Sequence, residues 1–421
     1  MRTAPHVGSQ TKRETDQMAE VYDYIIVGAG SAGCVLANRL TATGRHKVLL
    51  LEAGLPDRNP WIHVPLGYAK LFTNPRVNWM YETEPEPELN GRRIGQPRGK
   101  VLGGTSSING LVYMRGQAAD YDHWRQLGNT GWSYDDVLPY FKRAEDHENG
   151  RNEWHGVGGP LAVSNQTFTH TLADAFIDAG AATGLPRNDD FNGADQEGVG
   201  YFQTTSRNGL RCSAAVAYLK PVRSRQNLNV ETNAFAQRVL FDGRRAIGVE
   251  FRQGGETKRV MSNGEILLSS GSINSPQLLE LSGIGDGDRL NRLSIPVIAE
   301  RSAIGENLQD HFQVRMVLEA NKPITINDQY HNIFRRMGMG LDFAFRRRGP
   351  LTVSAGFAGA FFKTRPELAT PDIQIHFVLF STAKMGEGLH KFSGFTASVC
   401  QLRPESRGSV HSVSPDPSQP P

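Results

Sequence analysis

Cysteine is scarce in this 421-residue chain. Cys34, Cys212 and Cys400 are odd in number and far apart. They form neither a disulfide framework nor a zinc site, which points to a reducing compartment. Long apolar runs are missing too: no stretch approaches the ~18 residues of a spanning helix. The first twenty residues, MRTAPHVGSQTKRETDQMAE, hold no apolar core of a secretory signal and read as a disordered lead-in. The expected location is therefore cytoplasmic, with peripheral contact to the inner membrane left open. Charge of one sign is also missing. The formal net charge is +3, and the densest basic cluster, Arg346–Arg348, reads as a solvated helix end. Nothing forms a basic stripe, so no nucleic-acid partner is expected. No His/Asp/Glu spacing supports a metal site, no G-x-S-x-G elbow occurs, and no internal repeat is found.

Glycine, in contrast, is plentiful, at 45 residues, well above the average of about 7%. The glycines sit beside apolar runs, which suggests tight turns and close backbone approaches rather than disorder. The stretch YDYIIVGAGSAGCVLANRL shows why. Tyr24–Val27 is a short apolar run of the kind that forms a buried parallel strand. Gly28-Ala29-Gly30-Ser31-Ala32-Gly33 follows as G-x-G-x-x-G, then Val35, Leu36 and Leu40 at helical spacing. The first glycine permits a tight turn, the second lets backbone approach a pyrophosphate, and the third lets helix and strand pack closely. A second apolar strand, KVLLLEAG, ends in Glu52 and Ala53. Glu52 stands 19 residues after Gly33, near the spacing of an acid that binds a ribose hydroxyl. The glycines alone could serve packing. With their flanks they indicate a dinucleotide site, and leave NAD and FAD both open.

The segment PRGKVLGGTSSINGLVYMRG, Pro97 to Gly116, resembles the first signature of the glucose–methanol–choline (GMC) oxidoreductases. GSINSPQLLELSGIG, Gly271 to Gly285, resembles the second. DYDHWRQLGNTGWSYDDVLPYFKRAED, RCSAAVAYLKP, NLNVETNAFAQRVLFDGRRAIGVEF and IGENLQDH match in the family's order, so the resemblance runs from Val21 to Gly408. It is nearest to the choline-dehydrogenase-like branch. It implies an α/β fold, with a Rossmann-like FAD-binding domain interleaved with an α+β substrate domain built on an antiparallel sheet. It also implies FAD as cofactor, a small-molecule alcohol (choline or another primary alcohol) as substrate, and hydride transfer to flavin N5. The electron acceptor, quinone or oxygen, is not indicated. The small side chains of Gly103–Ser107, including Gly104 and Thr105, suit a loop lying against a flat ring or phosphate. In the family, positions matching Val101, Gly104 and Asn109, Gly110, Leu111 and Val112 lie along the flavin and its phosphates. Backbone at the position matching Ala236 bonds the adenine edge. The histidine that links flavin covalently in choline oxidases is matched by Ile108, so non-covalent FAD is expected.

The expected division assigns 1–20 to the lead-in, 21–60, 94–120 and 223–313 to the FAD domain, and 61–93, 121–222 and 314–421 to the substrate domain. FQVRMVLEA, AGFAGAFFK, DIQIHFVLF and FTASVCQLRPES alternate with period two, as strands of an antiparallel sheet. The alternating run around Asp242-Gly243 reads as a hairpin. HTLADAFIDAGAATG reads as an amphipathic helix, and GSINSPQLLEL as a helix with Pro276 in its first turn. Phe357, Phe361, Phe362, Phe377 and Phe380 are expected to fill an interface rather than line a cavity, and His376 to be a core histidine. The family's catalytic histidine belongs to a His-Pro segment beyond the substrate sheet, and none of the twelve histidines here precedes proline. The ending RGSVHSVSPDPSQPP accordingly reads as an interrupted connection. No catalytic residue is assigned, and an inactive FAD-binding fragment stands as the alternative to an alcohol dehydrogenase.

Overall fold

The first apolar run extends as a strand because both of its faces find cover. In the computed structural model, which describes residues 20–384 and 386–421, the longer strands follow one another in a fixed order. They are β1 (Val21–Val27), β2 (Val48–Leu51), β3 (Gly198–Tyr201), β4 (Leu228–Glu231), β5 (Phe235–Asp242), β6 (Arg245–Gln253), β7 (Glu256–Leu268), β8 (Gln313–Glu319), β9 (Ala358–Phe362), β10 (Ile373–Val378) and β11 (Gly394–Gln401). The longer helices are α1 (Ser31–Leu40), α2 (Ala118–Gln126), α3 (Tyr134–Ala144), α4 (Thr171–Ala182), α5 (Gly271–Leu281) and α6 (Ile333–Arg346). The lead-in expected over 1–20 lies, apart from Glu20, outside the described residues. No helix among the described residues is long and apolar enough to cross a membrane.

Six strands form one sheet in the order β4-β2-β1-β7-β6-β5. The first four pair in parallel, and β5–β6–β7 form an antiparallel meander turning at Gly243, where φ is +56°. Alternate side chains leave opposite faces. Ile26, Val48 and Leu50 pack with Cys34 and Ala37 of α1, while Ile25, Val27, Leu49 and Leu51 pack with Val249, Phe251 and Leu278 of α5. Burial on both faces is why β1 and β2 read as continuous apolar runs.

The second sheet runs β8-β11-β10-β9-β3, all antiparallel. Strands β8 to β11 are the four alternating runs, and β3 adds a fifth strand from earlier in the chain. Helix α4 covers one face, with Phe176 stacked on Phe377 at 4.6 Å between ring centres. Phe357, Phe361, Phe377 and Phe380 are buried and Phe362 packs against them, so these rings are core. At the other edge, β8 is exposed along its whole length.

Three polar ties hold the intervening loops. Arg115 and Glu145, with side chains 1% and 0% exposed, form an ion pair that His155 joins at 3.1 Å. His155 also bonds Asp190 at 2.8 Å. Arg211 is fully buried and donates to the Ile62, Ser106 and Asn109 carbonyls and to Asn109 Oδ1. Glu280 of α5 accepts from the Ser412 amide at 2.6 Å and contacts His411 at 2.7 Å, laying residues 411–419 along that helix.

Candidate cofactor cleft

The turn after β1 needs glycine at two points. Gly28 has φ +98°, and a Cβ there would lie 2.6 Å from the Ser269 carbonyl oxygen. A Cβ on Gly33 would lie 1.9 Å from the Gly28 oxygen, so α1 can seat on the turn only without one. Gly30 differs. A Cβ there meets nothing nearer than Ser269 O at 3.8 Å and would project into an open cleft.

That cleft has a volume of about 480 Å³ and lies at the carboxyl ends of β1, β2 and β7. Ligands of open α/β sheets bind at such ends. Its floor is closed by serines at the β7–α5 turn: Ser269 Oγ donates to Gly28 O at 2.8 Å, and Ser270 Oγ donates to Val27 O at 3.1 Å. Both α1 and α5 begin in the cleft, α1 from Gly30 and α5 from Ser270, and neither has a side-chain cap or an acid in its first turn. Their leading N–H groups and dipoles thus favour an anion. At one side stand the rings of Trp79 and Phe235, 5.8 Å apart.

Glu52 is the acid of the cleft. Its carboxylate accepts the Ala29 N–H at 3.0 Å and the Gly54 N–H at 2.8 Å. Burial raises its pKa to about 7 despite those two donors. It is thus aimed and held, with lone pairs left for a hydroxyl donor.

Nine of the sequence-derived residues meet here: Gly28, Gly30, Ser31, Ala32, Glu52, Ala53, Gly104, Thr105 and Ala236. The others lie off the cleft. Gly33 packs behind the turn. Val101 and Ile108 are buried with Ile62, Leu71 and Val77. Asn109 is held by Arg211, Gly110 lies against Ala355, Leu111 joins the core of the second sheet, and Val112 bridges to Thr204. The strand–turn–helix of the second signature was legible, but not that Ser269–Asn274 form a wall of the cleft. Nor were Trp79, Arg98 and Phe235 foreseen. Pro276 stands in the second turn of α5, not the first, because Gly271 (φ +83°) already turns the chain into the helix.

His376 reaches no hydrogen-bond partner among the described residues. Burial, with His311 nearby, pushes its pKa down to about 4. A base so weak takes up a proton poorly at neutral pH. Among the described residues, no histidine lines the cleft.

A four-strand parallel core opening on a glycine turn, with a second antiparallel sheet alongside, defines a two-part α/β protein of the nucleotide-cofactor class. A family model for GMC oxidoreductase matches residues 22–313, and the chain belongs to that oxidoreductase family. The chain is 40% identical over 399 residues to an oxygen-dependent choline dehydrogenase of Brucella suis biovar 1 (strain 1330), covering 95% of this chain and 72% of that one. Among solved structures, pyridoxine 4-oxidase from Mesorbium loti superposes with a TM-score of 0.82 at 31% identity, covering 94% of this chain and 74% of that one. An FAD-dependent oxidoreductase from Chaetomium thermophilum superposes with a TM-score of 0.84 at 26% identity, covering 95% and 77%.

Proposed function

We propose that the chain binds FAD non-covalently in this cleft and serves the oxidation of the CH–OH group of an alcohol, choline or another primary alcohol. The observation that carries the reading is the convergence of two uncapped helix N-termini, the side-chain-free Gly30 and the held carboxylate of Glu52 on one cavity. In this reading the amides of Ser31 and Ala32 hold a pyrophosphate, Glu52 accepts from a ribose hydroxyl, and Ala236 backbone meets the adenine edge. Gly104 and Thr105 at the cleft, and Val101 and Asn109–Val112 beyond it, serve the flavin half, with Arg211 fixing the Asn109 carbonyl and side chain. FAD, when bound, supplies the hydride acceptor. The sequence match to choline dehydrogenases supports the substrate class, and Ile108, an apolar side chain, supports a non-covalent cofactor. Three buried, unpaired cysteines support a cytoplasmic setting.

A second reading, flavin binding with little turnover, is favoured by His376 of the second sheet, a buried histidine that is only weakly basic. One experiment separates them. The purified chain is precipitated with acid, and flavin is read in supernatant and pellet. Choline or simple primary alcohols are then added to the holoprotein, and dye reduction and oxygen consumption are followed separately. Yellow colour in the pellet refutes non-covalent binding. Bleaching by an alcohol supports oxidation, and flavin release without bleaching supports the second reading.

A further inference from the structure

Residues 411–419 come back to the cofactor cleft after the second sheet and are tied down at two places. At the first, the buried Glu280 of α5 accepts the Ser412 amide and contacts His411 Nδ1 at 2.7 Å, while His411 Nε2 lies 2.8 Å from Glu306. At the second, Gln277 Nε2 of α5 donates to the Gln419 carbonyl at 2.8 Å. Among the described residues, the hydrogen bonds made by 413–418 stay within 413–419. The Asp416 carboxylate accepts from the amide and hydroxyl of Ser418 at 2.9 and 2.8 Å, and the Asp416 amide donates to Ser414 Oγ at 3.1 Å. Pro417 stands in the wall of the cleft, and Ser418 borders the smaller pocket beside it with Trp79, Phe235 and Arg252. The segment thus crosses from α5 to the β5–β6 pair, past the part of the cleft that holds Phe235 and Ala236.

We propose that this segment is a strap that closes the adenine end of the cleft, with Pro417 as the residue that bears on the bound cofactor. The inference rests on the FAD reading above and adds a gating step to it. A buried carboxylate anchors one side of the strap, and a single neutral hydrogen bond, of modest net strength, holds the other. Segments with few tertiary bonds open locally without global unfolding. Opening at Gln277 leaves the Glu280 anchor and both sheets in place and frees the Pro417 side of the cleft. The strap is open while FAD enters or leaves and closed while it is held, when the proline ring adds an apolar wall for a flat base.

The test is kinetic. FAD association and dissociation are followed by stopped-flow flavin fluorescence in the full chain, and hydrogen exchange of 411–419 is measured with FAD, ADP or FMN. FAD and ADP should slow exchange in the strap, and FMN should not. Gln277→Leu and Asp416→Ala each loosen the closed strap without removing Pro417. Both rate constants should rise by about 5-fold, the worth of one hydrogen bond, with affinity near that of the parent. A merely structural role would not speed association. Pro417→Gly should raise the dissociation rate and lower affinity as well. Circular dichroism melts check that the variants are folded. A parent chain that takes up none of the three ligands overturns the cofactor reading and the strap with it. A parent that binds FAD with no change in strap exchange, or loosened variants that keep the parent's two rate constants, overturns the strap alone. Equal protection by FMN and ADP overturns its placement at the adenine end.

Discussion

Gly30 and Gly33 stand three residues apart in one turn, yet replacing them should fail in different ways. In Gly33→Ala the new Cβ lies 1.9 Å from Gly28 O and 2.9 Å from Ser269 Oγ. Reaching ordinary contact requires a shift of roughly 1.5 Å between α1 and the turn beneath it. The obstructing atom is backbone, so the cost belongs at the upper end for overpacking, about 3 kcal/mol. At about 2 °C per kcal/mol for a domain of this size, the midpoint should drop by about 6 °C. In Gly30→Ala the new Cβ finds no protein atom nearer than 3.8 Å, and φ −75° and ψ −161° are open to any L-residue. Only the weaker N-cap preference is lost, at about 0.5–1 kcal/mol. Gly30→Val should also melt near the parent, because its branches extend into the cleft. It should nevertheless lose FAD. Displacing a pyrophosphate from the α1 amides forfeits about two charge-assisted hydrogen bonds at ~1.5–3 kcal/mol each, hence about 100-fold or more in affinity. Apoprotein melts followed by circular dichroism, and FAD titrations followed by flavin fluorescence, read the two effects separately. A Gly33→Ala protein as stable as the parent would refute the packing argument. A folded Gly30→Val protein with parental FAD affinity would sink the assignment of the cleft.

Glu145→Gln leaves Arg115 and His155 buried without their shared anion, and should destabilise the fold by about 3–5 kcal/mol. Its hydrogen bonds and Arg115 hold Glu145 down to about 2, so its contribution is present above pH 4.5 and lost as pH falls toward 2; Asp190 and Glu145 hold His155 up to about 9, so that contribution is present below pH 6.5 and lost as pH rises through about 9. The gap in melting midpoint between parent and variant should therefore be widest from pH 4.5 to 6.5 and narrow on either side; a gap that stays constant from pH 3 to 10 contradicts the assignment. FAD affinity should rise as pH increases toward 7 and level off above it, because a ribose hydroxyl donates to the ionised form of Glu52, whose pKa without cofactor is about 7. Glu52→Gln should bind more weakly and without that slope, which equilibrium titrations from pH 5 to 9 would detect. Arg211→Met strips donors from the buried Ile62 and Asn109 carbonyls and should cost about 2–4 kcal/mol, partly offset by removing a cation whose pKa burial has already lowered to about 9. It should also loosen FAD retention more than Arg211→Lys does, and equal retention in the two variants would argue against a positioning role.

What the sequence determined by itself was local. A positive-φ glycine, an apolar run covered on both faces and a period-two alternation are each imposed within a few residues. Hence the Gly28–Gly33 turn, β1, β2, the Asp242-Gly243 hairpin and strands β8–β11 were all legible from residue order alone. The matched signatures then extended these pieces to a whole fold. Contacts between distant segments were not legible. The Ser269–Asn274 wall faces a turn far earlier in the chain, Ser269 bonding Gly28 across 241 residues, and Arg115, Glu145, His155 and Asp190 converge from three loops and a short strand. No spacing rule links such residues, because their separation is set by how the chain returns to the sheet. Exposure was equally out of reach. The alternating pattern of β8 foretells a buried face, and only tertiary packing decided that β8 would stand uncovered at a sheet edge.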